Sequence, residues 1–333
     1  MTEYISLSHG SGGALTQKLI HEIFAAAFDN AYLRKLDDAS VVTLARGRYA
    51  MTTDSFVVDP IVFPGGDIGK LAVCGTINDL ASCAAEPGYL SASFVIEEGL
   101  SLDALKSVVS SMAREARHQH VPIVTGDTKV VPRGKADKLF INTTGIGLVH
   151  KSLEAKMIRP GDKILINGPV AEHGISVLAA RQGFEGREAL KSDCKSLWAI
   201  VKLLLQEHVD VRFMRDPTRG GVSAAANEIA QSSGFSLALI ENKIPITASC
   251  KSFCEILGLE PLDIANEGKM LFFIGEKDAS RALRTLRAVP SCRRASVIGE
   301  VLPERKAKVY LKTVAGGSRV LGMPVTEALP RIC

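Results

Sequence analysis

Two rhythms of apolar and polar positions run along the chain. A spacing near 3.6 marks helices through Leu15, Leu19, Ile20, Ile23 and Phe24, and again through Leu71, Cys74, Ile77, Leu80 and Ala81. The second of these carries Asn78 and Asp79 off its apolar face. The same spacing recurs at Leu105, Val108, Val109, Met112 and Ala116, around residues 175–180, at Leu197, Ile200, Val201 and Leu204, and over residues 222–230. Strand-like runs occupy residues 49–54, 90–96, 121–125, 139–149, 163–167 and 270–274. A polar, Pro-Gly break at residues 158–162 separates two halves, each mixing strands with helices. This pattern predicts an α/β (or α+β) protein of two domains, residues 1–155 and 156–322, followed by a tail over 323–333.

Composition sharpens that picture. At 333 residues, with 46% hydrophobic and 23% charged residues, the chain has the size of two cores and globular content. A net charge of +4 with scattered basic residues gives no nucleic-acid footprint. No run reaches the roughly 18 apolar residues of a membrane span, and the opening residues lack the basic and apolar regions of a signal peptide. The seven cysteines have no paired spacing, and Cys250 and Cys254 fall on the core-facing side of a helical pattern. The expectation is a reduced, cytoplasmic protein that binds neither membrane nor nucleic acid.

The candidate chemistry lies in glycine-rich and acidic turns. Gly10, Gly12 and Gly13 feed a helix start, where free backbone N–H groups suit a phosphate. The segment matches neither G-x-x-x-x-G-K-[ST] nor G-x-G-x-x-G, and residues 65–70 are too short for a P-loop. His118 and His120 are better explained as helix C-terminal cations than as a metal pair. Asp37, Asp54, Asp79, Asp127 and Asp216 all sit at element ends, beside glycines. Five carboxylates so placed suit magnesium, a hard ion that bridges substrate phosphates, with Lys129 and Arg219 as cationic partners. The last residue, Cys333, places a thiol on a tail that spans roughly 33–36 Å from residue 323 when extended. Arg331, two positions earlier, would share its side and help present the thiol.

Taken together, HGSGG (9–13), TTDSFVVDP (52–60), GKLAVCGTINDLASC (69–83), VTGDTKVV (124–131), DKLFINTTG (137–145), RDPTRGGV (215–222), NEGKM (266–270) and LPRIC (329–333) resemble the HypE family, carbamoyl dehydratases of [NiFe]-hydrogenase maturation. The resemblance implies the two-domain aminoimidazole ribonucleotide synthetase-like fold, with N-terminal domains pairing into a β-barrel in a homodimer and a flexible C-terminal tail. It implies ATP and Mg2+ in clefts beside that barrel. A partner carbamoyltransferase would load Cys333, ATP would phosphorylate the carbamoyl oxygen, and loss of phosphate would leave a thiocyanate. The cyanide would pass to an iron-carrying scaffold complex. On this chain the resemblance assigns Gly10, Gly12, Gly13, Lys129, Thr218, Arg219 and Gly220 to the nucleotide, and the five aspartates to the metal, with Asp37 chosen over Asp38. Glu267 or Lys129 would be the base that takes the nitrogen protons. Selenophosphate synthetase, a relative in the same superfamily, usually needs a reactive cysteine near the glycine loop, whereas the first cysteine here is Cys74 inside an apolar helix. A non-enzymatic thiol carrier would differ by consuming no ATP.

Overall fold

The computed structural model describes residues 4–35, 39–184, 190–324, 329 and 331–333. Its N-terminal half is built on strands β1 (Tyr49–Phe56), β4 (Ala85–Glu97), β5 (Ile123–Val131) and β6 (Leu139–Val149), with a small hairpin of β2 (Val62–Phe63) and β3 (Gly66–Asp67). The four long strands form one sheet in the order β1-β6-β4-β5, in which only β4 and β5 run parallel. A parallel neighbour needs a crossover, and α4 (Leu102–His118) supplies it, its first turn capped by Ser101. The turn GDTK does not leave the sheet. Residues 126–129 continue β5 against β4, with Asp127 opposite Ser93 and Lys129 opposite Val95.

One face of this sheet is apolar and covered. Phe56, Leu90, Phe94, Ile96 and Ile141 pack there with α4 and with α3 (Ile68–Ser82), whose start is capped by the Asp67 carboxylate. The alternate positions, among them Met51, Thr53, Asn142, Thr144 and Ile146, point the other way, and Met51 is 75% exposed. Twelve of the fifteen residues of α3 are buried, because the second domain closes over the side that faces away from the sheet. Asn78 is therefore not off the apolar face but 2% exposed. It ties the halves together, donating to the carbonyls of Lys195 and Glu267 and accepting the Leu197 N–H. The N-terminal helical run begins as α1 (Ala14–Leu19), widens to a π-helical turn over Ile20–Ala25 and ends as α2 (Ala26–Phe28).

The second half contributes β7 (Lys163–Ile166), β8 (Val211–Arg215), β9 (Leu237–Ile240), β10 (Leu271–Ile274), β11 (Ser296–Val301), β12 (Val309–Lys312) and β13 (Ser318–Val320) to a sheet ordered β13-β12-β9-β11-β7-β10-β8. Strands β7, β9 and β10 are buried and apolar on both faces, as the covered part of a sheet requires, whereas the edge strand β13 is exposed. Phe272 and Ile274 of β10 join the core shared with the first domain, alongside α6 (Trp198–Gln206) and α9 (Ala279–Ala288). Leu271 and Phe273 face the opposite core, under α7 (Gly221–Ser233). A third cluster joins α5 (Glu172–Gln182) to α8 (Ala248–Leu257), with Cys250 and Cys254 inside it as the pattern predicted. No helix among the described residues is long and apolar enough to cross a membrane.

Candidate active site

Three of the five aspartates meet where the two halves face each other. Asp54 lies on the inward side of β1, level with Thr52 and Phe56, and Asp79 lies on the adjoining helix α3. The Thr52 hydroxyl donates to Asp79 Oδ2 at 2.7 Å. Asp216 follows β8 in the loop that opens α7. Burial raises all three carboxyls above their usual range. Asp54 adds to the rise at Asp79, and Asp79 with Asp54 helps push Asp216 up to about 7. Arg219 opposes the rise at Asp54. Such like-charge crowding is relieved by a bound cation.

The motif Asn266-Glu267-Gly268-Lys269 closes the site from the second domain, and each residue has its own task. The Asn266 amide accepts the Ala171 N–H and donates to the Pro217 and Ile264 carbonyls, which fixes the loop carrying Asp216. Gly268 has to be glycine, since a Cβ there would lie 1.9 Å from the Asp193 carbonyl oxygen. Lys269, 2% exposed, binds Asp193 at 2.8 Å and Glu172 at 3.0 Å. The Asp193 carboxylate also accepts the N–H groups of Glu267 and Gly268, both at 3.1 Å. Burial alone would raise the Asp193 pKa, but Lys269 holds it below the usual range. Glu267 itself is 3% exposed. Burial pushes its carboxyl far up, reinforced by Cys194, Asp193, Asp216 and Asp54.

The remaining candidates lie elsewhere. Asp127 and Lys129 pair at 2.7 Å on β5, both exposed, and Lys129 holds the Asp127 carboxyl below its usual range. Since β1 and β5 are the two edges of the sheet, roughly 14 Å separates these strands at ~4.8 Å per spacing. Within one chain, then, Lys129 does not stand with Glu267, nor Asp127 with Asp54. Asp37 lies outside the described residues. Among the described residues no three His, Cys, Asp or Glu side chains already stand as a metal cage.

Next to Asp127 is a groove of about 440 Å³ between β5 and the N-terminal helical run. Gly10, Gly12, Thr16, Asp127 and Lys129 supply its polar lining, while Phe24, Phe28 and Phe94 line its apolar part. Gly10 also has a packing role, since a Cβ there would lie 2.8 Å from that of Val130. Gly12 adopts a positive φ of 83°, and extended Gly13 starts α1. Thr218, Arg219 and Gly220 form the turn into α7, with Gly220 at φ 75°.

The end of the chain is seated between the domains. The Val57 N–H donates to the Cys333 carbonyl at 3.1 Å and the Asp59 N–H to that of Arg331 at 3.3 Å, an antiparallel fragment continuing from β1. This places the last residue beside a segment only three positions along the chain from Asp54. Ile332 is 3% exposed and packs into the shared core. Arg331 does not present the thiol as extended geometry predicted. At φ 56° its backbone is left-handed, and its guanidinium binds Asp137 and the Val57 carbonyl instead.

Such a pair of mixed domains, with acidic groups at their junction and a glycine-rich start beside the far edge of the first sheet, defines an AIR synthase-like protein. Residues 36–149 match the family described as AIR synthase related protein, N-terminal domain, and residues 159–312 match its C-terminal domain. The carbamoyl dehydratase HypE of Cupriavidus necator is 46% identical over 332 residues, covering 99% of this chain and 95% of that protein. A crystal structure of the hydrogenase maturation protein HypE in complex with ATP superimposes with a TM-score of 0.94 at 46% identity, covering 98% of this chain and 99% of the other. HypE in a HypE–HypF complex gives a TM-score of 0.79 at 42% identity, over 94% of this chain and all of that one (100%). The chain belongs to the HypE family of carbamoyl dehydratases, the hydrogenase maturation proteins, and not to the selenophosphate synthetases.

Sequence reasoning missed Asp193 and His173. Neither sits in a glycine-rich motif, and their partners are supplied by the packing of distant segments.

Proposed function

We propose that this chain dehydrates a carbamoyl group carried on the Cys333 sulfur, using ATP and releasing ADP and phosphate. The observation that carries the reading is the seating of the chain's last residue beside β1, close in sequence to Asp54 and at the junction where Glu267 is buried. An amide oxygen leaves poorly and a phosphate leaves well, so phosphorylation of the carbamoyl oxygen must come first. The two nitrogen protons then depart and S–C≡N remains. Lys129 and Arg219 are suited to hold phosphate oxygens, and Gly10, Gly12, Gly13, Thr218 and Gly220 let the backbone approach them. The groove beside Asp127 is within the usual size of a small-ligand pocket, and its phenylalanines suit an adenine.

Glu267 is our candidate for the nitrogen protons. Burial and the neighbouring acidic groups oppose its ionisation, so it serves as a base when the surrounding negative charge is neutralised. The crowded carboxyls of Asp54, Asp79 and Asp216 fit Mg2+, which Asp37 and Asp127 would complete. When bound, it supplies charge neutralisation for phosphoryl transfer.

Asp127 and Lys129 are on the wrong edge to meet that cluster within one chain. A homodimer supports the assignment, because a second copy can bring its β5 edge to this copy's β1. The uncovered sheet face, with Met51 75% exposed, favours the same pairing into a barrel. A carbamoyltransferase of the HypF kind is the proposed donor, an iron-carrying scaffold complex the proposed acceptor of cyanide, and the cytoplasm the proposed location. The division into residues 1–155, 156–322 and a tail from 323 is retained as part of this reading.

Mass spectrometry of the C-terminal peptide tests the proposal after incubation with the carbamoyltransferase, carbamoyl phosphate and ATP. The expected product is a Cys333 adduct that loses one water only with hydrolysable ATP. An adduct that never loses water would reduce the protein to a thiol carrier.

A further inference from the structure

The last three carbonyl oxygens of the chain are all held, and by more than the strand-like pairing. His173 Nε2 lies 2.8 Å from the Ile332 carbonyl oxygen. A carbonyl only accepts, so the proton sits on Nε2 and the neutral Nδ1 accepts from the Ser192 hydroxyl at 2.8 Å. Burial keeps the ring neutral by lowering its pKa. The imidazole is wholly buried, with the edge of the Phe63 ring 5.3 Å from it, centroid to centroid. Ser192 is fixed in turn, donating its N–H to the Pro64 carbonyl and accepting the Cys194 N–H. Eight residues further along α5, Arg181 donates to the carbonyls of Asp59 and Arg331 at 2.7 and 2.8 Å. One helix thus grips two consecutive tail carbonyls and the N-domain segment they pair with.

We propose that His173, seconded by Arg181, is the latch that seats the tail, a positioning residue for the reaction at Cys333. The inference rests on the acceptor role proposed for that thiol. The contacts of His173 and Arg181 are to main-chain oxygens, and the Ile332 side chain is buried beside them. The latch sets how long the thiol stays inside. When the tail leaves, a buried Nε2–H loses its partner, which biases the tail towards return.

Pulsed alkylation of the full-length protein without ATP, read at the C-terminal peptide, measures the exposure of Cys333 directly. His173→Leu removes the donor and should raise the alkylation rate about fivefold, the equivalent of one hydrogen bond. His173→Gln restores an N–H near the Nε2 position and should return the rate to that of wild type. Arg181→Ala, at an exposed position, should act in the same direction but more weakly. With the carbamoyltransferase and ATP present, the Leu variant should load carbamoyl at least as fast as wild type. Its dehydration kcat should fall while the KM for ATP stays unchanged. Wild-type alkylation in the Leu variant, or failure of Gln to rescue it, would overturn the latch. Should the Leu variant not fold, unchanged alkylation in Arg181→Ala would overturn it instead. A wild-type protein that never dehydrates, in a series where the variants still expose Cys333, would sink the proposed function and leave the latch standing.

Discussion

The backbone N–H of Glu267 is held by the carboxylate of Asp193 at 3.1 Å. The same carboxylate neutralises the buried ammonium of Lys269, so one side chain both positions the acidic residue of the site and stabilises the turn beneath it. Asp193→Ala leaves a buried cation with Glu172 alone, and breaking a buried pair in this way costs about 3–5 kcal/mol. Chemical denaturation should show a lower midpoint at an unchanged slope. A loss below about 1 kcal/mol would mean that Glu172 suffices for Lys269 and that Asp193 is not the anchor.

Asp216 gives the protein a pH dependence of definite sign. Its carboxyl stands at about 7, against roughly 3.9 for an exposed aspartate. The folded state therefore binds this proton more tightly than the unfolded chain. The associated stability is complete below the unfolded value and is lost as pH rises towards 7. Asp216→Asn should stabilise the protein at pH 8 in EDTA by on the order of 1–2 kcal/mol, allowing for its half-buried setting, and change little at pH 4. Magnesium should raise the wild-type Tm more than that of the variant. Greater stability of wild type at pH 8 without metal would contradict the crowding of Asp216 with Asp79 and Asp54.

The open sheet face provides a test of the proposed homodimer. Ile146 lies on it, opposite Met51 on one side and Tyr89 on the other. Ile146→Lys should leave the fold intact, because the side chain points away from α3 and α4, but it places a charge where a second sheet would pack. Light scattering should report a monomer, and ATP turnover should fall at least tenfold because Asp127 and Lys129 no longer reach a neighbour's cluster. A variant that remains dimeric, or a monomer with full turnover, would refute the shared site.

Much of this was legible in the chain, and the rest was hidden for identifiable reasons. Alternation over residues 139–149 and the 3.6 spacing through Leu105 and Met112 announced β6 and α4 because each buries only one face. Helix α3 was legible as a helix but not in its role. Burial on both sides erases the stripe that would show which face Asn78 takes, so its tie to Glu267 and Leu197 emerged only from the packing. GDTK was expected to follow a short strand, yet Asp127 and Lys129 belong to that strand. Edge position depends on strand order, which residue spacing does not encode. Asp54, Asp79 and Asp216 could be nominated from their motifs, but Asp54 stands within β1 and Asp79 within α3 rather than at element ends, and their mutual electrostatic pressure needed the fold. Asp193 and His173 carried no local signal, since an aspartate in a loop and a histidine on an apolar helix are ordinary until their partners arrive.

Glu267 can act as a base only when its carboxyl is ionised, which its buried setting opposes. Its carboxyl is held well above the usual range by burial and by Cys194, Asp193, Asp216 and Asp54, which favours the neutral acid. Removing nitrogen protons requires the ionised form, and nucleotide-bound magnesium would favour it by offsetting the negative charge of Asp54 and Asp216. Two consequences can be measured on the carbamoylated protein. The wild-type dehydration rate at saturating Mg–ATP should rise with pH along a single ionisation and then level off. Glu267→Gln, similar in shape and unable to take a proton, should bind ATP normally and lose about 10²–10⁴-fold in rate, with no pH dependence remaining from this group. If Glu267→Gln keeps both the rate and the rising limb, the proton acceptor is another group. Lys129 supplied by a second copy would then be the next residue to substitute.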